Sequence, residues 1–424
     1  MRLPIGPLPL LLLALVGCGG GNPAVPGKAP TSGPTGEQTA VPTIRFGGPV
    51  AGKASNPSVP AVPPGTIEYA SGHILLKFRP GTDASTEAGV LAAHGGTIQR
   101  TIGGLDVQVV SVPAGAEYAR IAEFQCEPSV QYAEPDYICR ATFTPDDTDF
   151  ATQQWDMNII HAPEAWDLTK GARWVEVADL DTGFDFNHTD FDQQVVDSHN
   201  FTSDASAQDG HGHGTHTAGT IAALTNNAHG VAGVGFNSSL IIGKVLTDGG
   251  WGEFSWVAEG IVWAVHRQAR VINMSLGAWG DDQTMHDAVD YATLHNIVVC
   301  CAAGNGNTNQ LFYPASYANS LAIGATDSAD ARAWFSNYGD YVDVSAPGLG
   351  VYSTYHGDTY TTMSGTSMAC PHVAGLAALV WSTQYGTDAQ SVRDRIIATT
   401  DAITTDQPMG SGRINAARAV GAIP

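Results

Sequence analysis

The chain has 424 residues, 43% hydrophobic and 14% charged, with 41 acidic against 19 basic side chains and a net charge of −22. That length exceeds one ordinary domain and predicts a large domain with accessory segments. Residues 141 to 424 hold 31 Asp and Glu against 10 Lys and Arg, and so acidic a surface repels phosphate and excludes nucleic acid as a partner.

Arg2 followed by the apolar run Leu8 to Val16 reads as a secretory signal, too short for the ~20 residues that a membrane-spanning helix needs. Leu15-Val16-Gly17-Cys18 is similar to the lipobox of bacterial lipoproteins, which implies lipidation at Cys18 of an exported, envelope-anchored precursor; the alternative is an ordinary signal peptide ending there. Residues 19 to 65 contain 10 Pro and 10 Gly in 47 positions, too little apolar surface to fold, and are expected to be a disordered linker.

From Thr66 to Arg140 short alternating strands (His73 to Phe78, Val107 to Val112) and helix-like runs near Glu87 to Ala93 and Glu117 to Phe124 predict a small α+β, ferredoxin-like domain in β-α-β, β-α-β order. Beyond Phe143 the apolar runs Trp174 to Leu180, Leu240 to Val245, Val271 to Met274, Ile297 to Ala303 and Leu321 to Ala325 alternate with helical segments at Thr215 to Leu224, Trp256 to Arg270, Thr284 to His295, Ser367 to Gln384 and Ala389 to Thr399. That alternation predicts an α/β domain with a parallel sheet covered on both faces.

Four segments of this domain carry chemistry. Asp181 ends an apolar strand in V-E-V-A-D-L-D-T-G, the place where ligand sites of open α/β sheets form. His213 stands in D-G-H-G-H-G-T-H-T-A-G-T at the start of a small-residue helix, and Asn305 closes V-V-C-C-A-A-G-N-G. Ser367 lies in T-M-S-G-T-S-M-A-C-P, where Gly365 permits a tight turn, Thr366 is expected to shield the approach, and the following helix points its first N–H groups at a developing negative charge. A serine hydroxyl needs a base to take its proton and a third group to hold that base in one tautomer, and the order Asp181, His213, Ser367 is the one found in subtilisin.

D-T-G, H-G-T-H-x-A-G-T and G-T-S-M-A-x-P-H-V-A-G together identify the chain as resembling the subtilisin-like serine proteases, over nearly all of residues 143 to 420. The thermitase-like branch is suggested by Q-Q-W-D-M-N-I-I-H-A-P-E-A-W at 153 to 166 and G-S-G-R-I-N-A-A-R-A-V at 410 to 420. The resemblance implies a broad serine endopeptidase, mature as a monomer, with Asn305 and the Ser367 N–H as oxyanion donors. Substrate strands would pair with Gly250 to Gly252 and with Ser275, Leu276 and Gly277, while Ala302, Ala303 and Gly304 would wall the pocket beside the scissile bond. Trp251 and Phe254 would overhang acyl-side subsites and favour large apolar residues.

It further implies that the domain at 66 to 140 is a propeptide, with I-L-L-K-F-R-P-G near its start and V-Q-Y-A-E-P-D-Y-I near its end. Such a segment assists folding, caps the cleft with its C-terminal strand and is cut off by the enzyme itself, here between Cys139 and Asp146, which would release the enzyme outside the cell. A structural Ca²⁺ is implied at Asp147 and Asp190 with the loop Leu224 to Val231, where a one-residue insertion leaves Asn226 and Asn227 as alternative ligands.

Asp179 departs from the family pattern, which has an aliphatic residue there; two residues before Asp181, it lies on the same strand face. Nearby carboxylates raise one pKa unless twist or a neighbouring donor separates them, so coupling predicts that the acid limb of the pH profile moves in Asp179→Val. Cys300, Cys301 and Cys370 sit in apolar contexts and read as buried thiols, the adjacent pair on opposite strand faces. Two rival readings remain: His211, His213 and His216 have a spacing that suits zinc in a metallohydrolase, with His216 and His372 otherwise structural and His211 on the rim, or the chain is a catalytically silent surface lipoprotein.

Overall fold

The structure, a computed structural model, describes residues 69–139 and 143–423. The signal, Cys18 and the linker lie outside the described residues. Two compact units divide between Cys139 and Arg140. No described helix is long and apolar enough to cross a membrane.

The first unit runs β1 (Tyr69–Phe78), α1 (Ala84–Ala93), β2 (Thr97–Ile102), β3 (Val107–Ser111), α2 (Glu117–Gln125) and β4 (Val130–Tyr137). Its antiparallel sheet has the order β2-β3-β1-β4. Ile74, Leu76, Val110, Ile121 and Phe124 fill a core between sheet and helices. Asp83 caps α1 by accepting the Ser85 and Thr86 N–H groups at 3.0 and 2.9 Å, which satisfies donors that a helix start leaves open.

The second unit opens with three short helices, α3 (Phe150–Gln153), α4 (Trp155–Ile159) and α5 (Ala162–Trp166). Then come β5 (Glu176–Asp181), β6 (Val195–Asn200), α6 (His213–Ala222), β7 (Ser239–Lys244), α7 (Phe254–His266), β8 (Val271–Met274), α8 (Gln283–Leu294), β9 (Val298–Ala302), β10 (Leu321–Thr326) and β11 (Val344–Pro347). A hairpin, β12 (Val351–Tyr355) and β13 (Thr359–Met363), leads into α9 (Thr366–Trp381), α10 (Ala389–Ala398) and α11 (Ala416–Val420). The seven-stranded sheet has the order β11-β10-β9-β8-β5-β7-β6, with every registered pair parallel.

A parallel sheet must bury both faces, and successive side chains divide between two cores. Val177 and Cys300 pack in one core, Ala178, Leu180 and Cys301 in the other. Cys370 joins Cys300, and all three thiols are buried and free, with burial holding Cys301 up at about 12. The strand order reverses beside β5, so the crevice of the topological switch point opens at the C-terminal ends of β5 and β8.

Helix α9 runs through the larger core with nearly every residue buried. Pro371 sits within it and has no N–H, so the helix cannot close its bond to the carbonyl of Ser367 four residues back. Ser275, just past β8, fills that vacancy by donating its hydroxyl to Ser367 O at 2.8 Å.

Candidate active site

Gly183 follows Asp181 and Thr182 with φ +102°, and a Cβ there would lie 2.3 Å from Ala207 O, so the D-T-G turn requires glycine. The turn leaves the Asp181 carboxylate at the strand end. His213, the first residue of α6, donates from Nδ1 to Asp181 Oδ1 at 2.7 Å, and the same oxygen accepts the Thr182 N–H at 2.7 Å. With its proton on Nδ1, the imidazole keeps Nε2 as the basic nitrogen. Burial pulls the His213 pKa down, but the charge and hydrogen bond of Asp181 outweigh it, so the net shift is upward from 6.5.

Asp209 supports this arrangement, and motif reading missed it. Gly212 at the N-cap of α6 has no side chain to offer. Asp209 instead accepts the His211 and Gly212 N–H groups, the Thr215 N–H and hydroxyl, and the Thr182 hydroxyl, all between 2.7 and 2.9 Å. Its place four residues before His213, ahead of a glycine-rich helix start, is the signal that could have found it.

Ser367 is the second residue of α9, and its hydroxyl donates to Ser275 O at 3.0 Å. Asn305 turns its Oδ1 toward Thr366, accepting the backbone N–H at 2.8 Å and the hydroxyl at 2.9 Å. Thr366 also accepts the Gly304 N–H at 3.0 Å and is fully buried. It fixes the Asn305 amide and also lines the cleft, a role beyond the shielding expected from sequence. With Oδ1 so engaged, Nδ2 is the end left to donate.

A cleft of about 590 Å³ joins these groups. His213, Asn305 and Ser367 line it together with the expected Gly250, Trp251, Gly252, Phe254, Ser275, Leu276, Gly277, Ala302 and Gly304. Ala303 does not: it is fully buried, and its carbonyl accepts from Asn337 Nδ2 and the Tyr341 hydroxyl at 2.9 and 2.8 Å. Trp251 is 56% exposed and leans on Trp256. Leu246, Val257, Trp279 and Phe312 also line the cleft; they lie outside every motif, and only folding brings them here.

Asp179 is buried one pleat behind Asp181, accepting Asn273 Nδ2 on one oxygen and the Thr217 hydroxyl on the other, each at 2.9 Å. Burial first, and then the charge of Asp181, push its carboxyl up to about 8. The Thr217 hydroxyl has one proton but lies 2.9 Å from both Asp179 Oδ2 and Gly214 O. A proton on Asp179 lets the acid donate to Thr217 and Thr217 donate to Gly214 O, so each group has its partner.

The zinc reading fails on geometry. His216 is fully buried with Nε2 3.2 Å from the carbonyls of Val351 and Thr361, and burial, followed by the charge of His213, holds its pKa down at about 3. His211 lines the cleft, and His372 is fully buried between Asp156 Oδ2 and Met368 O, each at 2.8 Å. Among the described residues no three His, Cys, Asp or Glu gather as a metal site.

The expected calcium ligands lie together at the other end of α6. Asp147 accepts the Asn226 N–H on Oδ2 at 2.8 Å, while its Oδ1 is buried with no partner in the protein. Asp190 accepts Asn227 Nδ2 and the Val231 N–H, each at 2.9 Å, and its carbonyl accepts the Leu224 N–H at 2.8 Å. Burial raises both carboxyls, Asp147 to about 6.

The subtilase family matches residues 173–419, and a family described as the fervidolysin N-terminal prodomain matches residues 55–136. A thermophilic serine proteinase of Bacillus sp. strain AK1 is 40% identical over 354 residues, 83% of this chain and 88% of that protein. Thermitase of Thermoactinomyces vulgaris is 42% identical over 280 residues, 66% of this chain and 99% of its own. Among solved structures, a protease of Pseudoalteromonas arctica superposes with a TM-score of 0.62 at 33% identity, covering 66% of this chain and 99% of that one.

Proposed function

The chain belongs to the subtilase family of serine endopeptidases and carries a prodomain, and from that premise we propose that Ser367, His213 and Asp181 are its catalytic triad. The observation that carries this reading is the 2.7 Å bond from His213 Nδ1 to Asp181, which aims Nε2 into the cleft that Ser367 and Asn305 also line. In the reaction the Ser367 hydroxyl leaves Ser275 O for His213 Nε2, loses its proton and attacks the peptide carbonyl. Asn305 Nδ2 and the Ser367 N–H hold the oxyanion, while Asp181 stabilises the imidazolium. His213 then protonates the leaving amine, and water repeats the sequence to free the acid.

Strand pairing through Gly250 to Gly252 and Ser275 to Gly277 recognises backbone, which gives broad specificity, with large apolar residues favoured under Trp251 and Phe254. The prodomain assists folding and inhibits until the enzyme cuts itself between Cys139 and Asp146. The precursor is exported, lipidated at Cys18, and the mature enzyme is an extracellular monomer. Asp147, Asp190, the carbonyls of Leu224 and Val231, and the side-chain oxygen of Asn226 or Asn227 would hold a calcium ion; Asn227 Nδ2 donates to Asp190 and its Oδ1 accepts the His229 N–H at 3.0 Å, so its amide would have to turn to ligate. The buried, unpartnered Asp147 Oδ1 is the mark of that fit, and an ion held there would cross-link the domain's N-terminal segment to the loop after α6.

The test is labelling of the mature protein with a serine-directed phosphonylating reagent, read by peptide mass. A single adduct on Ser367 with loss of activity is expected. An adduct elsewhere, or none in an active enzyme, overturns the assignment.

A further inference from the structure

Phe312 is not part of any motif, yet its ring spans the gap between two substrate-flanking segments. A Cβ placed on Gly277 would lie 2.4 Å from Phe312 Cε1, and one on Gly304 2.9 Å from Phe312 Cγ. Atoms that close leave no room for anything between ring and backbone on either side. Gly277 belongs to the segment whose Ser275 carbonyl receives the Ser367 hydroxyl at 3.0 Å, and Gly304 immediately precedes Asn305. A side chain on the acyl residue, the one whose carbonyl Ser367 attacks, therefore points between these two segments.

We infer that Phe312 closes this pocket, so that the enzyme cleaves after small residues such as Gly, Ala and Ser, an inference that rests on the protease reading above. The backbone that carries the ring is held in place. Ala278 and Tyr313 exchange backbone hydrogen bonds at 2.8 and 2.9 Å, and the Phe312 N–H donates to Ser316 Oγ at 2.9 Å, pinning the residue on both sides. Trp279 packs edge-on against it at 4.9 Å between ring centroids and covers Gly306. No Asp, Glu, Lys or Arg lines the cleft among the described residues, so a charged side chain finds no counter-ion in place of the lost space. The apolar lining of Leu246, Trp251 and Phe254 serves residues further upstream. Specificity is thus divided: large and apolar upstream, small at the scissile bond.

Two peptides that differ only in Ala or Phe at the acyl residue, with apolar residues upstream, provide the test. Wild type should show kcat/KM at least about tenfold higher for Ala, since one methylene in a filled pocket already discriminates by ~10 to 200-fold. Phe312→Ala should move the Ala-to-Phe ratio by about 10² toward Phe, and Phe312→Leu, which keeps more of the packing, should move it part of the way. A wild type that cleaves after Phe as well as after Ala overturns the inference without need of either variant, as does an unchanged ratio in a folded variant. Labelling of Ser367 separates the two failures: a labelled enzyme with the wrong preference sinks only this inference, and an unlabelled, inactive one sinks the protease reading beneath it.

Discussion

Two aspartates on one strand face have opposite tasks because their surroundings differ. Asp181 meets the imidazole of His213 and a backbone N–H, whereas Asp179 has only an amide and a hydroxyl and is pushed up to about 8, by burial first. A base must be neutral to act, so kcat/KM falls as pH drops through the His213 pKa, and the upward shift places that midpoint above 6.5. A pH profile with its acid midpoint below 6 would contradict this. For Asp179 the folded pKa lies above the ordinary carboxyl value, so its contribution favours the folded state at low pH and is lost as pH rises from about 4 toward about 8. Asp179→Asn removes that loss: its melting temperature should gain on wild type as pH rises from 4 to 8, and a gap constant with pH would show that Asp179 carries no such proton. That Asp181, His213, Asn305 and Ser367 come to one place, and that Asp179 is unusual, was legible because motif spacing specifies residue type. The jobs of Asp209 and Thr366 were not, since each acts through hydrogen bonds to backbone that no spacing announces.

At the scale of elements, long apolar periodicity gave reliable readings, and the five expected helices and five expected strands of the second unit appear within a few residues of their expected ends. Edge strands were missed. β6 reads V-V-D-S-H-N, half exposed on the sheet rim, and such a strand lacks the continuous apolar run of a strand covered on both faces. Its place is set by pairing with β7, a tertiary effect. The Pro371 gap in α9 shows how one element completes another. Ser275→Ala leaves the Ser367 carbonyl without its donor and should cost roughly 1–3 kcal/mol, read as a lowered denaturant midpoint in a Ser367→Ala background that prevents self-digestion. An unchanged midpoint would mean that water replaces the Ser275 hydroxyl without penalty.

The whole molecule joins a small antiparallel unit to a parallel α/β unit, a division that the switch from short alternating strands to long apolar runs already marked. Net charge concentrated in the second unit makes its buried carboxylate pair, Asp147 and Asp190, a place where a cation matters most. Calcium at a thousand times its Kd would add about 4 kcal/mol, so chelation should lower the melting temperature by about 10 °C, and Asp190→Ala should abolish that difference. A melting temperature indifferent to chelator removes the calcium assignment.

As the proposed nucleophile, Ser367 performs the first cut on its own chain. Residues 66 to 424, expressed as wild type and as Ser367→Ala and followed by mass over time, test it most directly. Wild type should fall to a species beginning between residues 140 and 146 while the variant stays whole; a variant that is trimmed at the same bond and rate, or a wild type that is never trimmed, would show that Ser367 does not make that cut.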